Sequence, residues 1–82
     1  MLICKVTGTV VATRKCENLK GGKFLIVEPF MGNGDPFVAI DNVGAGIGEI
    51  VLVVCGSAAR VTLGESVPVD AAIVGIVDDT SH

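Results

Sequence analysis

The stretch VGAGIGEIVLVVCGSAAR, residues 43–60, decides the fold. Its centre, residues 50–55, is an apolar run rich in β-branched side chains and has the length of a strand rather than a helix. Glycines at positions 44, 46 and 48 precede the run and Gly56 follows it, so neither flank can continue as regular structure. The sequence therefore predicts a buried strand between two irregular connections.

Four further segments resemble this strand, and they are predicted at residues 2–13, 24–28, 37–41 and 71–77. Valine and isoleucine outnumber leucine and alanine in the chain, which favours strands. Gly8 predicts a bulge or bend in the first strand. The one predicted helix spans residues 58–63, with Ser57 as its N-cap and Gly64 as its end. We expect an all-β fold, a small OB-like closed β-barrel of about five strands with one short helix, and a single domain over residues 1–82.

The chain carries more apolar surface than a domain of its size can hide. Half of its 82 residues are hydrophobic and only 18% are charged. A domain this small buries about 60–65% of the surface that its unfolded chain exposes. We therefore expect the subunit to associate with copies of itself.

The composition argues against several classes of partner. The net charge is −3 and the chain has no Trp or Tyr, whereas proteins that bind single-stranded nucleic acid need a basic groove and stacking aromatic residues. No apolar run approaches the ~18–20 residues of a membrane span. The first residues lack the pattern of a signal peptide. We expect a cytoplasmic protein without a nucleic-acid or membrane partner.

The three cysteines are widely spaced, at positions 4, 16 and 55. They fit neither a disulfide framework nor a paired-cysteine zinc site, so no metal site is expected. Cys4 and Cys55 lie in apolar runs and are predicted to be buried in a reducing cytosol. Cys16 lies in a polar stretch and is predicted to be exposed.

Candidate catalytic groups are sparse. The only histidine, His82, is the last residue of the chain, where termini usually fray. Ser57 stands in GSAAR, which is not the GxSxG turn that exposes a nucleophile, and it is better explained as a helix cap. Asp78 and Asp79 are neighbours on a strand and point to opposite faces. We expect no enzymatic activity.

The glycine run at residues 44–48 resembles the start of a phosphate-binding GxGxxG motif. Glu49 stands where the third glycine would be, and a strand follows instead of the helix that a dinucleotide site needs. No cofactor is expected. The run is interpreted as a tight turn, or as a place where the backbone approaches another subunit.

Several ordered motifs together resemble the CcmL/EutN family of bacterial-microcompartment vertex proteins. They are DNVGAGIGE at residues 41–49, IVL at 50–52, GSAAR at 56–60, VTGTVVAT at 6–13 and VDAAIVGIVD at 69–78. The resemblance implies a β-barrel without catalytic activity that forms a cyclic homopentamer in the shell of a cytoplasmic bacterial microcompartment. Such pentamers cap icosahedral vertices beside hexameric shell proteins.

The resemblance also implies assembly residues, placed at subunit contacts or near the central axis. Arg60 could pair with an acceptor across an interface, although a solvated arginine explains it as well. An OB-like module that binds a ligand, nucleic acid or partner peptide is the alternative function. The residues implied for assembly are Asn42, Gly44, Ala45, Gly46, Gly48, Glu49, Gly56, Ser57 and Arg60.

Overall fold

The structure, a computed structural model, describes residues 1–11, 23–31, 34–56, 59 and 70–78. These residues contain five strands. In chain order the strands are β1 (Leu2–Val10), β2 (Lys23–Pro29), β3 (Phe37–Asp41), β4 (Ile50–Cys55) and β5 (Ala71–Ile76).

The five strands close into one barrel in the order β1-β2-β3-β5-β4, with β4 pairing back to β1. Four of the pairings are antiparallel, and the β3–β5 pairing is parallel. Closure gives every strand two partners, so none of the five strands is left as an open edge. The predicted all-β, five-stranded closed barrel is confirmed.

Alternate residues of every strand fill the barrel interior, as the period of two in a strand requires. The side chains are small and mostly branched, which suits a narrow barrel. The interior cluster consists of Cys4, Val6, Leu25, Val27, Ala39, Ala45, Val51, Val53, Ala71 and Ile73, with Phe37 packed against it.

A second apolar cluster lies on the outside of the barrel wall. Its buried members are Ile40, Val54, Ala59 and Ala72. The three of them that lie on strands alternate with interior residues. Ala59 is helical and fully buried, so it covers this part of the wall. The rest of the predicted helix at residues 58–63 lies outside the described residues.

The strand predictions need only small adjustments. The register between β1 and β2 shifts between Val6 and Gly8, which confirms the predicted irregularity at Gly8. β1 ends at Val10 rather than at residue 13, and residues 12 and 13 lie outside the described part of the chain.

The prediction for one cysteine is wrong. Cys4 is buried, but Cys55 is exposed. Cys55 is the last residue of β4, and the pairing of β4 with β1 already ends at Val53, so no β1 residue lies opposite it. An apolar run does not reveal where the wall of a barrel stops. Cys16 lies outside the described residues.

Candidate functional site

The glycine-rich connection of residues 42–49, here called the β3–β4 loop, is organised by the carboxylate of Asp41. Asp41 ends β3 on the same face as Ala39 and is only 2% exposed. Its Oδ1 accepts the N–H of Val43 at 2.9 Å, and its Oδ2 accepts the N–H of Ala45 at 2.8 Å. An aspartate that binds the backbone just after itself makes a local turn, which here directs the chain across the barrel end.

Lys23 completes the environment of this carboxylate. It lies opposite Asp41 in the β2–β3 register. Its Nζ donates to the Ala45 carbonyl at 2.9 Å and lies 3.6 Å from Asp41 Oδ2. The lysine side chain is 56% exposed, so water screens this ion pair and its contribution is at most about 1 kcal/mol. The two backbone hydrogen bonds therefore hold the loop more strongly than the lysine does.

The far half of the β3–β4 loop is held by Glu49 and by β1. Glu49 Oε1 accepts the N–H of Gly46 at 2.7 Å, and the Glu49 N–H donates to the Gly46 carbonyl at 3.1 Å. The Gly48 N–H donates to the Val6 carbonyl at 2.8 Å, and the Val6 N–H donates to the Glu49 carbonyl at 2.9 Å. These bonds tie the far end of the loop to β1, while Asp41 holds the near end.

Two glycines in the loop have conformations that other residues avoid. Gly44 and Gly48 have φ of 91° and 92°. Side chains other than glycine rarely adopt this left-handed region because Cβ crowds the backbone. The loop thus has a defined shape: Ala45 is buried in the interior cluster, while Val43 and Ile47 are exposed.

The structure separates the predicted assembly residues into two groups. The loop group is Asn42, Gly44, Ala45, Gly46, Gly48 and Glu49, of which Ala45 is buried, Gly46 is half-buried and the others are exposed. Gly56 follows β4, with φ of 66°, and is exposed. The six residues of β4 lie between the loop group and Gly56 and span about 20 Å. Ser57 and Arg60 lie outside the described residues.

Sequence reasoning missed Asp41 and Lys23 as the residues that shape the loop. An aspartate directly before a glycine-rich run is a turn signal and could have indicated Asp41. Lys23 has no such signal, since only the pairing of β2 with β3 brings it to Asp41.

The described titratable groups offer little chemistry. Within the described ranges, no three His, Cys, Asp or Glu residues are grouped so that they could hold a metal ion. Burial, and to a smaller extent the nearby Cys55, raises the pKa of the Cys4 thiol above its usual value. A buried thiol with a raised pKa is a poor nucleophile. No helix in the described part of the chain has the length and apolarity needed to cross a bilayer.

Known proteins match the chain along nearly its whole length. The family model described as "Ethanolamine utilisation protein EutN/carboxysome" matches residues 1–78. The bacterial microcompartment shell vertex protein GrpN of Rhodospirillum rubrum is 52% identical, over 95% of this chain and 93% of that protein.

Solved structures match the barrel equally well. An ethanolamine utilization protein EutN superposes with a TM-score of 0.94 at 45% identity, covering 100% of this chain and 91% of that one. The GrpN structure, named a pentameric microcompartment shell protein from Rhodospirillum rubrum, superposes with a TM-score of 0.89 at 46% identity, covering 100% and 99%. The resemblance inferred from the motifs is confirmed, and the chain belongs to the EutN/CcmL family.

Proposed function

We propose that this chain is a structural shell protein that closes into a ring of five and caps the vertices of a bacterial microcompartment in the cytoplasm. The observation that carries the proposal is the match to GrpN, a shell vertex protein, over nearly the full length of both chains. The solved GrpN structure is named pentameric. In this proposal residues 1–82 act as one domain.

The outer surface of the barrel supports association. The interior cluster already uses the inward side chains, yet large apolar side chains remain exposed outside it. Val38 on β3 is 49% exposed, and Ile47 in the β3–β4 loop is 66% exposed. In the proposed ring, a neighbouring subunit would cover such side chains.

The proposed role requires no chemistry from the chain. The barrel interior is packed with apolar side chains, and the polar side chains of Asp41, Lys23 and Glu49 hold the β3–β4 loop. We therefore propose a protein without catalytic activity whose partners are copies of itself and hexameric shell proteins.

The proposal places the predicted assembly residues at contacts between subunits or near the ring axis. Within the β3–β4 loop, Gly46 is the informative member. Its φ is not positive, and a Cβ added there would lie 3.5 Å from Glu49 Oε1, an ordinary contact distance. The described part of one subunit thus leaves room for a Cβ at this position. The other proposed members are Asn42, Gly44, Ala45, Gly48, Glu49, Gly56, Ser57 and Arg60.

Gly46→Val tests this placement, with Gly46→Ala as the graded companion. We expect both variants to fold, as judged by far-UV circular dichroism, because a Cβ fits inside one subunit. Valine should lower the yield of rings more than alanine does, because it adds more volume at a close subunit approach. If Gly46→Val forms rings with the wild-type yield, the loop does not lie at the subunit contact.

Native mass spectrometry tests the ring itself. We expect a dominant species of five times the 8.4 kDa subunit mass at micromolar concentration. A monomer under those conditions would overturn the proposed function. Salt-dependent retention on single-stranded DNA would instead favour the binding module as the function.

A further inference from the structure

The far half of the β3–β4 loop, residues 46–49, has little packing to hold it. Ala45 in the near half is buried in the interior cluster, whereas Ile47 in the far half is 66% exposed. Gly46 and Gly48 have no side chains, and glycine loses more conformational freedom on ordering than any other residue. The shape of the far half therefore depends on hydrogen bonds rather than on buried apolar surface.

These hydrogen bonds form a tight turn that is closed twice. The Glu49 N–H donates to the Gly46 carbonyl at 3.1 Å, which joins the last residue of the turn to the first. Gly48, the third residue, has φ of 92°, as a type II turn requires. Glu49 Oε1 then accepts the Gly46 N–H at 2.7 Å. The main chain and the side chain of Glu49 thus both bind Gly46.

The donors of the loop find their acceptors inside one subunit. The acceptors are the carboxylates of Asp41 and Glu49 and the carbonyls of Val6 and Gly46. The N–H groups that donate to them are those of Val43, Ala45, Gly46, Gly48 and Glu49. The loop therefore needs no neighbouring subunit to reach this shape.

The carboxylate of Glu49 is exposed, and two roles in assembly are open to such a group. It can form an ion pair with the next subunit, or it can hold its own turn. Within the described ranges, the carboxylate binds the Gly46 N–H and forms no ion pair. The observed contact favours the second role, in which Glu49 acts as an acceptor of a hydrogen bond.

We propose that Glu49 is a positioning residue for ring assembly, an inference that rests on the ring in the proposed function. Its carboxylate holds the far half of the β3–β4 loop in one shape before subunits meet. A binding element that already has its bound shape avoids the cost of ordering during association. A loop that samples other shapes lowers the apparent affinity by the fraction of subunits that are ready to bind.

Glu49→Gln and Glu49→Asp separate the acceptor from the charge. Glutamine keeps an oxygen within reach of the Gly46 N–H but loses the charge, so rings should dissociate within about twofold of the wild-type concentration. Aspartate keeps the charge but is one methylene shorter. It should raise the dissociation concentration by about fivefold, the equivalent of one ordinary hydrogen bond. Sedimentation velocity over a dilution series measures both concentrations.

The same pair of variants can overturn the proposal. Weak rings in Glu49→Gln beside normal rings in Glu49→Asp would show that the charge contacts the neighbour. Equal losses in the two variants would show that the charge is needed as well, which also contradicts the proposed role. Rings of wild-type affinity in Glu49→Asp would show that the turn contact does not contribute to assembly.

Subunit exchange in Glu49→Ala tests when the residue acts. Isotope-labelled and unlabelled rings are mixed, and native mass spectrometry follows the appearance of mixed rings. Loss of a positioning residue should slow association and leave the rate of dissociation, and so of exchange, at the wild-type value. Loss of a residue that touches the neighbour mainly speeds dissociation. Faster exchange in Glu49→Ala would therefore overturn the proposal.

Glu28→Ala is the matched control, since Glu28 is an exposed glutamate on β2, outside the loop. It should leave the dissociation concentration unchanged, and an effect equal to that of Glu49→Ala would contradict a specific role for Glu49. Far-UV circular dichroism checks that each variant folds, as the exposure of both side chains leads us to expect. If Glu49→Ala did not fold, the glutamine and aspartate variants would still decide the question.

The wild-type ring measurement separates the two proposals. If the wild type is monomeric, the proposed function fails and the role of Glu49 in assembly fails with it. If the wild type forms rings that Glu49→Asp leaves unchanged, only the positioning role of Glu49 fails.

Discussion

Asp41→Ala should destabilise the barrel severely, because it removes the acceptor of two backbone hydrogen bonds at a buried site. The N–H groups of Val43 and Ala45 donate to this carboxylate at 2.9 and 2.8 Å, and the Ala45 bond is buried. Hydrogen bonds to a charged group contribute about 1.5–3 kcal/mol each. Lys23 adds little because its side chain is 56% exposed.

The expected loss for Asp41→Ala is about 3–6 kcal/mol, a large part of the 5–15 kcal/mol that stabilises a typical domain. Asp41→Asn keeps one acceptor oxygen but turns an amide N–H₂ toward one donor. Its loss should be about 1.5–3 kcal/mol, the value of one such bond. Asp41→Ala should therefore destabilise the barrel more than Asp41→Asn, because it removes both hydrogen bonds rather than one.

Urea unfolding followed by far-UV circular dichroism measures these losses, since the chain has no Trp or Tyr to report by fluorescence. All variants are compared at one protein concentration, because subunit association contributes to apparent stability. Asp35→Ala, at an exposed aspartate, is the matched control and should change little. A loss below about 1 kcal/mol for Asp41→Ala would refute the view that this carboxylate holds the loop.

Two further predictions concern single residues. Gly48→Ala should lower the free energy of unfolding by about 1–2 kcal/mol, because its φ of 92° crowds a Cβ. Gly46→Ala, without a positive φ, is its control in urea unfolding, and equal losses would contradict the argument. Iodoacetamide should alkylate Cys55 in the folded protein, while Cys4 reacts only after denaturant is added, since burial raises the pKa of the Cys4 thiol. Peptide mass spectrometry measures both rates, and similar rates in the folded protein would be inconsistent with a buried Cys4.

The elements and the family were predictable because their signals are local. The apolar β-branched run of β4, set between glycines, predicted Ile50–Cys55 with the bounds that the structure has. The irregular connection before it followed from its alternate glycines, and Gly8 indicated the break in the β1 register. The ordered motifs identified the family without any knowledge of contacts.

The candidate site was predictable only in part. The glycines of the β3–β4 loop were recognised, but the residues that shape the loop were not. Lys23 and Asp41 are 18 positions apart in the sequence, and their contact depends on how β2 pairs with β3. The exposure of Cys55 likewise depends on where the pairing with β1 stops.

The sequence by itself determined the strands, the turns between them and the family to which the chain belongs. Only the tertiary structure decided which side chains fill the barrel and which carboxylate holds the loop. The physical reason is that a strand alternates its side chains, so a register shift of one residue exchanges interior and exterior. Strand propensity is local, whereas register is set by pairing between distant segments.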